Sequence, residues 1–287
     1  MPRSLFVHCT LYVICILLLF SGCSGREGKA VLVLDRWWSL SREPEESLAN
    51  LLREARRLSG MRISVLRVME EDISAALTAY IEGQKPDAVL LGAFAAMRLR
   101  PVAESFPDVF FCVFDAPESG IPGNSPFVWV NFDKKPAMAE LGAIFGAFME
   151  GIPASGFAAA FLEPAAAAFW SEEPALGGPR IRPLVVLDGD TVETVRGQVE
   201  EMLALNPALY LVAAGSRSAL VIDLIIQRGS PAPLILDDAE GLPDIDGFPV
   251  LASFHRDYAT AFGDVLTNRP ERGKIVQIPV NIRHGEK

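Results

Sequence analysis

Three apolar runs in this 287-residue chain stop on aspartate. Asp35 follows Ala30–Leu34, Asp115 follows Val109–Phe114, and Asp237-Asp238 follow Pro233–Leu236. Carboxylates gathered on one edge can accept hydrogen bonds from hydroxyl or amino groups of a neutral ligand. Each such bond is worth about 1.5–3 kcal/mol net. Taken singly, each aspartate reads equally well as a helix cap or a turn former; as a set they point to ligand binding. Trp37 and Trp38 come directly after Arg36. An aromatic face can stack on a flat ring, at about 1–3 kcal/mol per base in nucleic-acid binders, and core packing is the competing reading for both tryptophans. Ala214-Gly215-Ser216-Arg217-Ser218 is a strand-to-helix turn that could offer backbone N–H groups, a weak signal by itself.

Catalytic chemistry finds less support. His255 and His284 have no cysteine or histidine at metal-ligand spacing, and His8 lies in an apolar leader. No Gly-x-Ser-x-Gly elbow, phosphate loop or Gly-x-Gly-x-x-Gly follows a strand. The expectation is therefore a binder with no metal and no cofactor, not an enzyme. Formal net charge is -10, from 26 basic and 36 acidic residues, which argues against nucleic acid as a partner.

The elements that would position these residues repeat. Lys85–Ala116 and Asn206–Ala239 each run from a proline through a short apolar segment to a glycine, then an amphipathic stretch and a second apolar segment ending on aspartate. Continuous apolar runs alternating with helical pattern read as buried parallel strands with crossover helices. The predicted fold is α/β: two Rossmann-like lobes, parallel sheets with helices on both faces, and a ligand cleft between them at the carboxyl ends of the strands. The first lobe is read over 30–132, the second over 133–249, and a hinge return with a C-terminal segment over 250–287. A helix is expected from about Pro44, with Ser41 as its cap, and single strands over Phe127–Phe132 and Lys274–Val280. Residues 164–180, alanine-rich and then rich in proline and glycine, take no firm assignment.

Residues 1–22 have the layout of a secretory signal: Arg3, an apolar run from Leu11 to Phe20 that is short for a membrane span, then Ser21-Gly22. Leu19-Phe20-Ser21-Gly22-Cys23 resembles a bacterial lipobox, which makes Cys23 the expected lipid anchor and residues 23–29 a tether. An uncleaved anchor helix is the alternative. Cys112 lies inside an apolar run and reads as a buried small hydrophobe, so no disulfide framework is expected.

Lys85-Pro86-Asp87-Ala88-Val89, Phe106-Pro107-Asp108-Val109-Phe110 leading to Asp115, Glu140-Leu141-Gly142-Ala143 and Ala213-Ala214-Gly215 occur in an order that resembles the basic membrane protein family. These are bacterial substrate-binding lipoproteins of the purine-nucleoside-receptor type, with a type I periplasmic-binding fold. The resemblance implies a small polar ligand, a nucleoside, delivered to an ABC-type permease from the outer side of a membrane. It implies that Asp35 and Trp38 contact the ligand, Trp38 by stacking on the base, and that Asp115 reads the base. Gly215 and Asp237 would hold the sugar, and Phe169 or its neighbour Trp170 would supply the second lobe's aromatic. A family lysine falls near His255 or Arg256. The chain departs from the family's glycine-rich turn at Ser216, Arg217 and Ser218. A ligand-sensing or interaction lipoprotein without transport is the alternative function.

Overall fold

The computed structural model describes residues 28–36, 38–69, 71–115, 124–171, 178, 180–187, 190–237 and 248–284. Cys23 with the leader, Trp37 and Asp238 lie outside them.

Strands without polar alternation can be buried on both faces, and the central strands here are. β1 (Lys29–Leu34), β3 (Ala88–Gly92) and β4 (Phe110–Phe114) are buried almost throughout. Their residues split by a period of two. Ala30, Leu32 and Leu34 join one apolar cluster, while Val31 and Val33 join another on the opposite face. With β2 (Arg62–Arg67), β5 (Val128–Asp133) and β11 (Ile275–Pro279) they form a sheet in the order β11-β5-β4-β3-β1-β2, all parallel.

The second sheet comprises β6 (Ala158–Leu162), β7 (Ile181–Val185), β8 (Leu209–Ala213), β9 (Leu234–Leu236), β10 (Val250–His255) and β12 (Asn281–His284). Its order is β12-β10-β9-β8-β6-β7, parallel except for the β10–β12 pair. The two orders superpose position by position, so β1 answers β6, β3 answers β8, β4 answers β9 and β5 answers β10. The sequence echo thus lies in matching places, β3-helix-β4 in one lobe and β8-helix-β9 in the other. Pro183 inside β7 is tolerated because β7 is an edge strand.

Among the helices, α1 (Glu45–Ser59) carries Glu45 and Glu46 in its first turn and ends on Gly60 at φ 68°, both favourable for a helix with that polarity. Ser41 does not cap it. It belongs to the 3-10 turn Ser39–Arg42, and its hydroxyl donates to the Trp38 carbonyl at 2.7 Å. α2 (Ile73–Gln84) and α3 (Ala93–Ser105) cover the outer face of the first sheet, and α6 (Val192–Leu203) and α7 (Ser218–Arg228) that of the second. The alanine-rich segment forms α5 (Pro164–Ser171).

The chain passes between lobes three times. After β5 it enters α4 (Lys135–Glu150), which packs on β10 and β12. After β10 it returns through α8 (Tyr258–Asn268), which packs on α1. Where one strand was expected over Lys274–Val280, two form, β11 in the first sheet and β12 in the second. Val280 is buried between them. One apolar cluster runs from the inner face of the first sheet, through Phe145 and Phe262, to the second.

Candidate functional site

The carboxyl ends of the strands carry a matched set of polar residues. The residue after β1 is Asp35 and after β6 is Glu163; after β4 it is Asp115 and after β9 it is Asp237. After β5 stands Lys134 and after β10 stands Arg256. An acid, an acid and a cation therefore occupy the same three places in both lobes. Glu163, Lys134 and Arg256 complete a pattern that strand-end aspartates alone only half disclosed. The identical strand orders are the signal that finds them.

In the first lobe Asp35 is buried, and its Oδ1 accepts from the Trp38 N–H at 2.8 Å. That bond turns the chain so that the Trp38 indole folds back over the strand ends. Trp38 is 4% exposed. Its ring lies 6.2 Å from Phe114 at an 18° interplanar angle and edge-on to Tyr258 and Phe262. Gly92, which ends β3, makes room for it, since a Cβ there would lie 2.9 Å from Trp38 Cγ. Trp38 in this structure is packed on the protein, and its remaining polar atom, Nε1, donates to Asp115 Oδ2 at 2.9 Å.

Asp115 is the meeting point of the lobe. Its backbone is left-handed, φ 57°, a conformation aspartate tolerates better than most residues. Besides Trp38 it accepts from the Tyr258 hydroxyl, 2.8 Å from Oδ2 and 3.0 Å from Oδ1. Arg256 Nη1 lies 3.6 Å from Oδ1. Tyr258 and Arg256 arrive from the return crossing, so Asp115 ties the hinge to the strand ends.

The second lobe repeats the scheme in other residues. Lys134 Nζ lies 2.6 Å from Asp237 Oδ1 and 2.7 Å from Oδ2, and 5.7 Å from the Phe254 ring centroid. Gly215 follows β8 at φ 54°, and a Cβ there would meet Glu163 Oε2 at 2.3 Å. It thus seats Glu163 as Gly92 seats Trp38. Arg217 Nη2 donates to the Asp190 carbonyl at 2.8 Å, which fastens that turn to the loop before α6. Phe169 belongs to α5, but its side chain lies outside the description; Trp170 is buried with its ring 5.7 Å from Phe254. His255 pairs with Arg283 on β12, 2.8 Å away.

The structure therefore brings Asp35, Trp38 and Asp115 into one hydrogen-bonded chain, and sets Asp237 and Gly215 on the facing lobe. One aromatic that the sequence reading passed over follows β3 closely and is partly exposed. Phe94, in the first turn of α3 just beyond β3, is 42% exposed, with the Arg98 guanidinium 5.7 Å from its centroid. Among the described residues no group of three His, Cys, Asp or Glu side chains could hold a metal ion.

No protein-family model matches the chain, and no curated protein sequence does. Solved structures do. A solute-binding protein of an ABC transporter system from Aeropyrum pernix K1 aligns with TM-score 0.60 at 16% identity, over 90% of this chain and 76% of its own. An ABC transporter solute-binding protein from Agrobacterium vitis, bound with alpha-D-tagatopyranose, gives 0.60 at 14%, over 90% and 95%. A transcriptional activator of the comK gene from Bacillus halodurans gives 0.62 at 13%, over 90% of each chain. The chain has the two-lobed fold that these proteins share, and the fold serves more than one task.

Proposed function

We propose that the protein is a solute-binding protein: it captures a small, neutral, hydroxylated molecule between its lobes and presents it to an ABC-type permease. The observation that carries this reading is the two charge pairs at the strand ends, where Asp115 and Asp237 each face a cation from the opposite lobe. A charged ligand would have to compete with an existing pair. A hydroxyl can accept from lysine or arginine while donating to a carboxylate, so it adds to the pair without breaking it. The fold likeness to solute-binding proteins, one of them bound with a sugar, is consistent with that chemistry. The reading is one of binding, with no bond made or broken.

Within that class the ligand we favour is a nucleoside, on the strength of the resemblance to the basic membrane protein family. Asp237 would take the ribose hydroxyls, Asp115 the polar edge of the base, and Gly215 the close approach of the sugar. Cys23 would carry the lipid that holds the protein at the outer face of a membrane; anchoring of this kind is stable only with more than one acyl chain.

A thermal-shift screen over nucleosides, free sugars, polyols, amino acids and nucleotides tests the reading. A ligand at 100 times its Kd stabilises the fold by about 2.7 kcal/mol. The expected result is a shift with neutral hydroxylated compounds, nucleosides foremost. Stabilisation by amino acids or nucleotides alone would overturn the neutral-ligand reading.

A further inference from the structure

Lys134 and Arg256 sit on two of the three crossings, each the first residue beyond the hinge strand of its own sheet. Each reaches to the strand-end aspartate of the other sheet. Lys134, from the first sheet, holds Asp237 of the second at 2.6 and 2.7 Å. Arg256, from the second, faces Asp115 of the first at 3.6 Å. β5 answers β10 and β4 answers β9, so the two pairs are one device built twice and crossed.

We propose that these crossed pairs form a charge latch that sets the angle between the lobes. The cations stand on the segments that must change direction when the lobes rotate, and the carboxylates stand on the bodies that rotate. Any rotation at the crossings therefore alters both separations together. Side-chain exposures of 13% and 20% for Asp237 and Lys134, and 26% and 17% for Asp115 and Arg256, place the charges partly out of water. There screening is weaker and an unpaired charge is costly. The two halves are unequal. Lys134 docks wholly into the second lobe, against Asp237 and the Phe254 ring. Asp115 is also held by Trp38 and Tyr258, and its contact with Arg256 is longer. The Lys134–Asp237 half is the tighter, and the Arg256–Asp115 half is the one that opens first. This latch acts whether or not the ligand is the one favoured above, since it depends only on residues of the chain.

The test is pulsed electron-spin resonance on the full-length chain in detergent. Cys9, Cys15 and Cys23 are replaced by serine, and spin labels are attached at Met97→Cys and Glu201→Cys, one on each lobe. The unsubstituted latch should give one narrow interlobe distance. Lys134→Met and Arg256→Gln should each broaden or displace it, and the combined variant should do so most. Exchange of the pair, Lys134→Asp with Asp237→Lys, should restore the narrow peak. Circular dichroism establishes that each variant is folded. If Lys134→Met does not fold, Arg256→Gln at the looser pair decides alone. A folded Arg256→Gln chain with the unaltered distance distribution overturns the proposal, and so does an exchanged pair that stays broad.

Discussion

Trp38 and Asp115 are joined across 77 positions of sequence by a hydrogen bond of 2.9 Å from the indole Nε1 to Oδ2. The bond joins a strand-end acid and an aromatic, each of which alone is open to a ligand role or a structural one, into one packed unit. Tyr258 gives the same carboxylate a second buried donor. Removing the acceptor should therefore damage the fold before it damages binding. Asp115→Ala leaves the Trp38 N–H and the Tyr258 hydroxyl without it, at about 1–3 kcal/mol for each orphaned group. Trp38→Phe keeps most of the ring and loses one bond, so its cost should be smaller, about 0.5–1.5 kcal/mol plus any packing defect. Urea unfolding measures both, and equal destabilisation by the two variants would contradict the shared-acceptor role of Asp115.

If a flat ring is bound, Phe94 is an exposed aromatic of the first lobe and Trp38 a buried one. Phe94→Ala should weaken a purine nucleoside by about 1–3 kcal/mol, the range for one stacked base, and leave the melting temperature nearly unchanged. Trp38→Ala should cost stability instead, about 3–5 kcal/mol for deleting a buried tryptophan. Paired calorimetry and melting curves separate them. A Phe94→Ala chain with undiminished nucleoside affinity would remove that ring from the site.

The two-lobed fold was legible because burial on both faces leaves a mark. Runs such as Ala88–Gly92, buried throughout, cannot alternate, and the Pro-to-Asp echo marks equivalent strands of the two sheets. The crossed pairs were not legible. Lys134 and Asp237 are far apart in sequence, and a lobe boundary read at 132/133 does not say which carboxylate the cation beside it will meet. Trp38 was open to two readings, ligand stacking and core packing. The local pattern of an acid followed by aromatics is compatible with stacking on a ligand, but Gly92 opens a seat on β3 that the ring fills, and only the folded sheet reveals that. Ser41 looked like a cap by position, yet it lies within the 3-10 turn Ser39–Arg42, where its hydroxyl donates to the Trp38 carbonyl instead.

Gly92 gives a prediction of its own. A methyl group there would stand 2.9 Å from Trp38 Cγ and 3.0 Å from Cδ2, too close for carbon atoms. The ring is bounded by Phe114, Tyr258 and Phe262 and has little freedom to retreat. Overpacking of this kind costs about 1–3 kcal/mol. Gly92→Ala should lower the urea midpoint accordingly and alter the tryptophan fluorescence. Once Trp38→Leu has removed the ring, adding Gly92→Ala should cost little, so the double variant should lose less than the sum of the two single changes. Fully additive losses would mean that the clash lies elsewhere.

Cys112 is completely buried in β4, and burial raises its thiol pKa well above the ordinary value. The thiolate is the reactive form, so the native chain should resist alkylation at this position. Because the folded-state pKa is raised, moving from neutral to mildly alkaline pH should not speed the reaction as it does for a free thiol. Iodoacetamide labelling with peptide mapping checks this on the full chain. The Cys112 peptide should be modified only after denaturant unfolds the lobe. Rapid labelling in native buffer would contradict the burial of β4.

Asp237 separates the nucleoside reading from its neighbours. Its carboxylate has Lys134 Nζ at 2.6 and 2.7 Å, and a carboxylate has lone pairs beyond those that one ammonium takes. Asp237→Ala should weaken a nucleoside by about 1.5–3 kcal/mol, roughly ten- to a hundredfold in Kd. A free base lacks the ribose and should bind the variant as it binds the parent chain. The single change also strands the Lys134 ammonium, so part of any loss could be damage to the lobe. The double variant Lys134→Met, Asp237→Leu removes both charges, and replacing a paired charge with apolar groups is often neutral for stability. It should regain the melting temperature while still losing the nucleoside relative to the base. Calorimetry with nucleoside and free base on the three chains tests the assignment. If the double variant binds nucleoside as the parent does, Asp237 does not hold the sugar. Undiminished binding of a free sugar would argue the same against any polyol at this carboxylate.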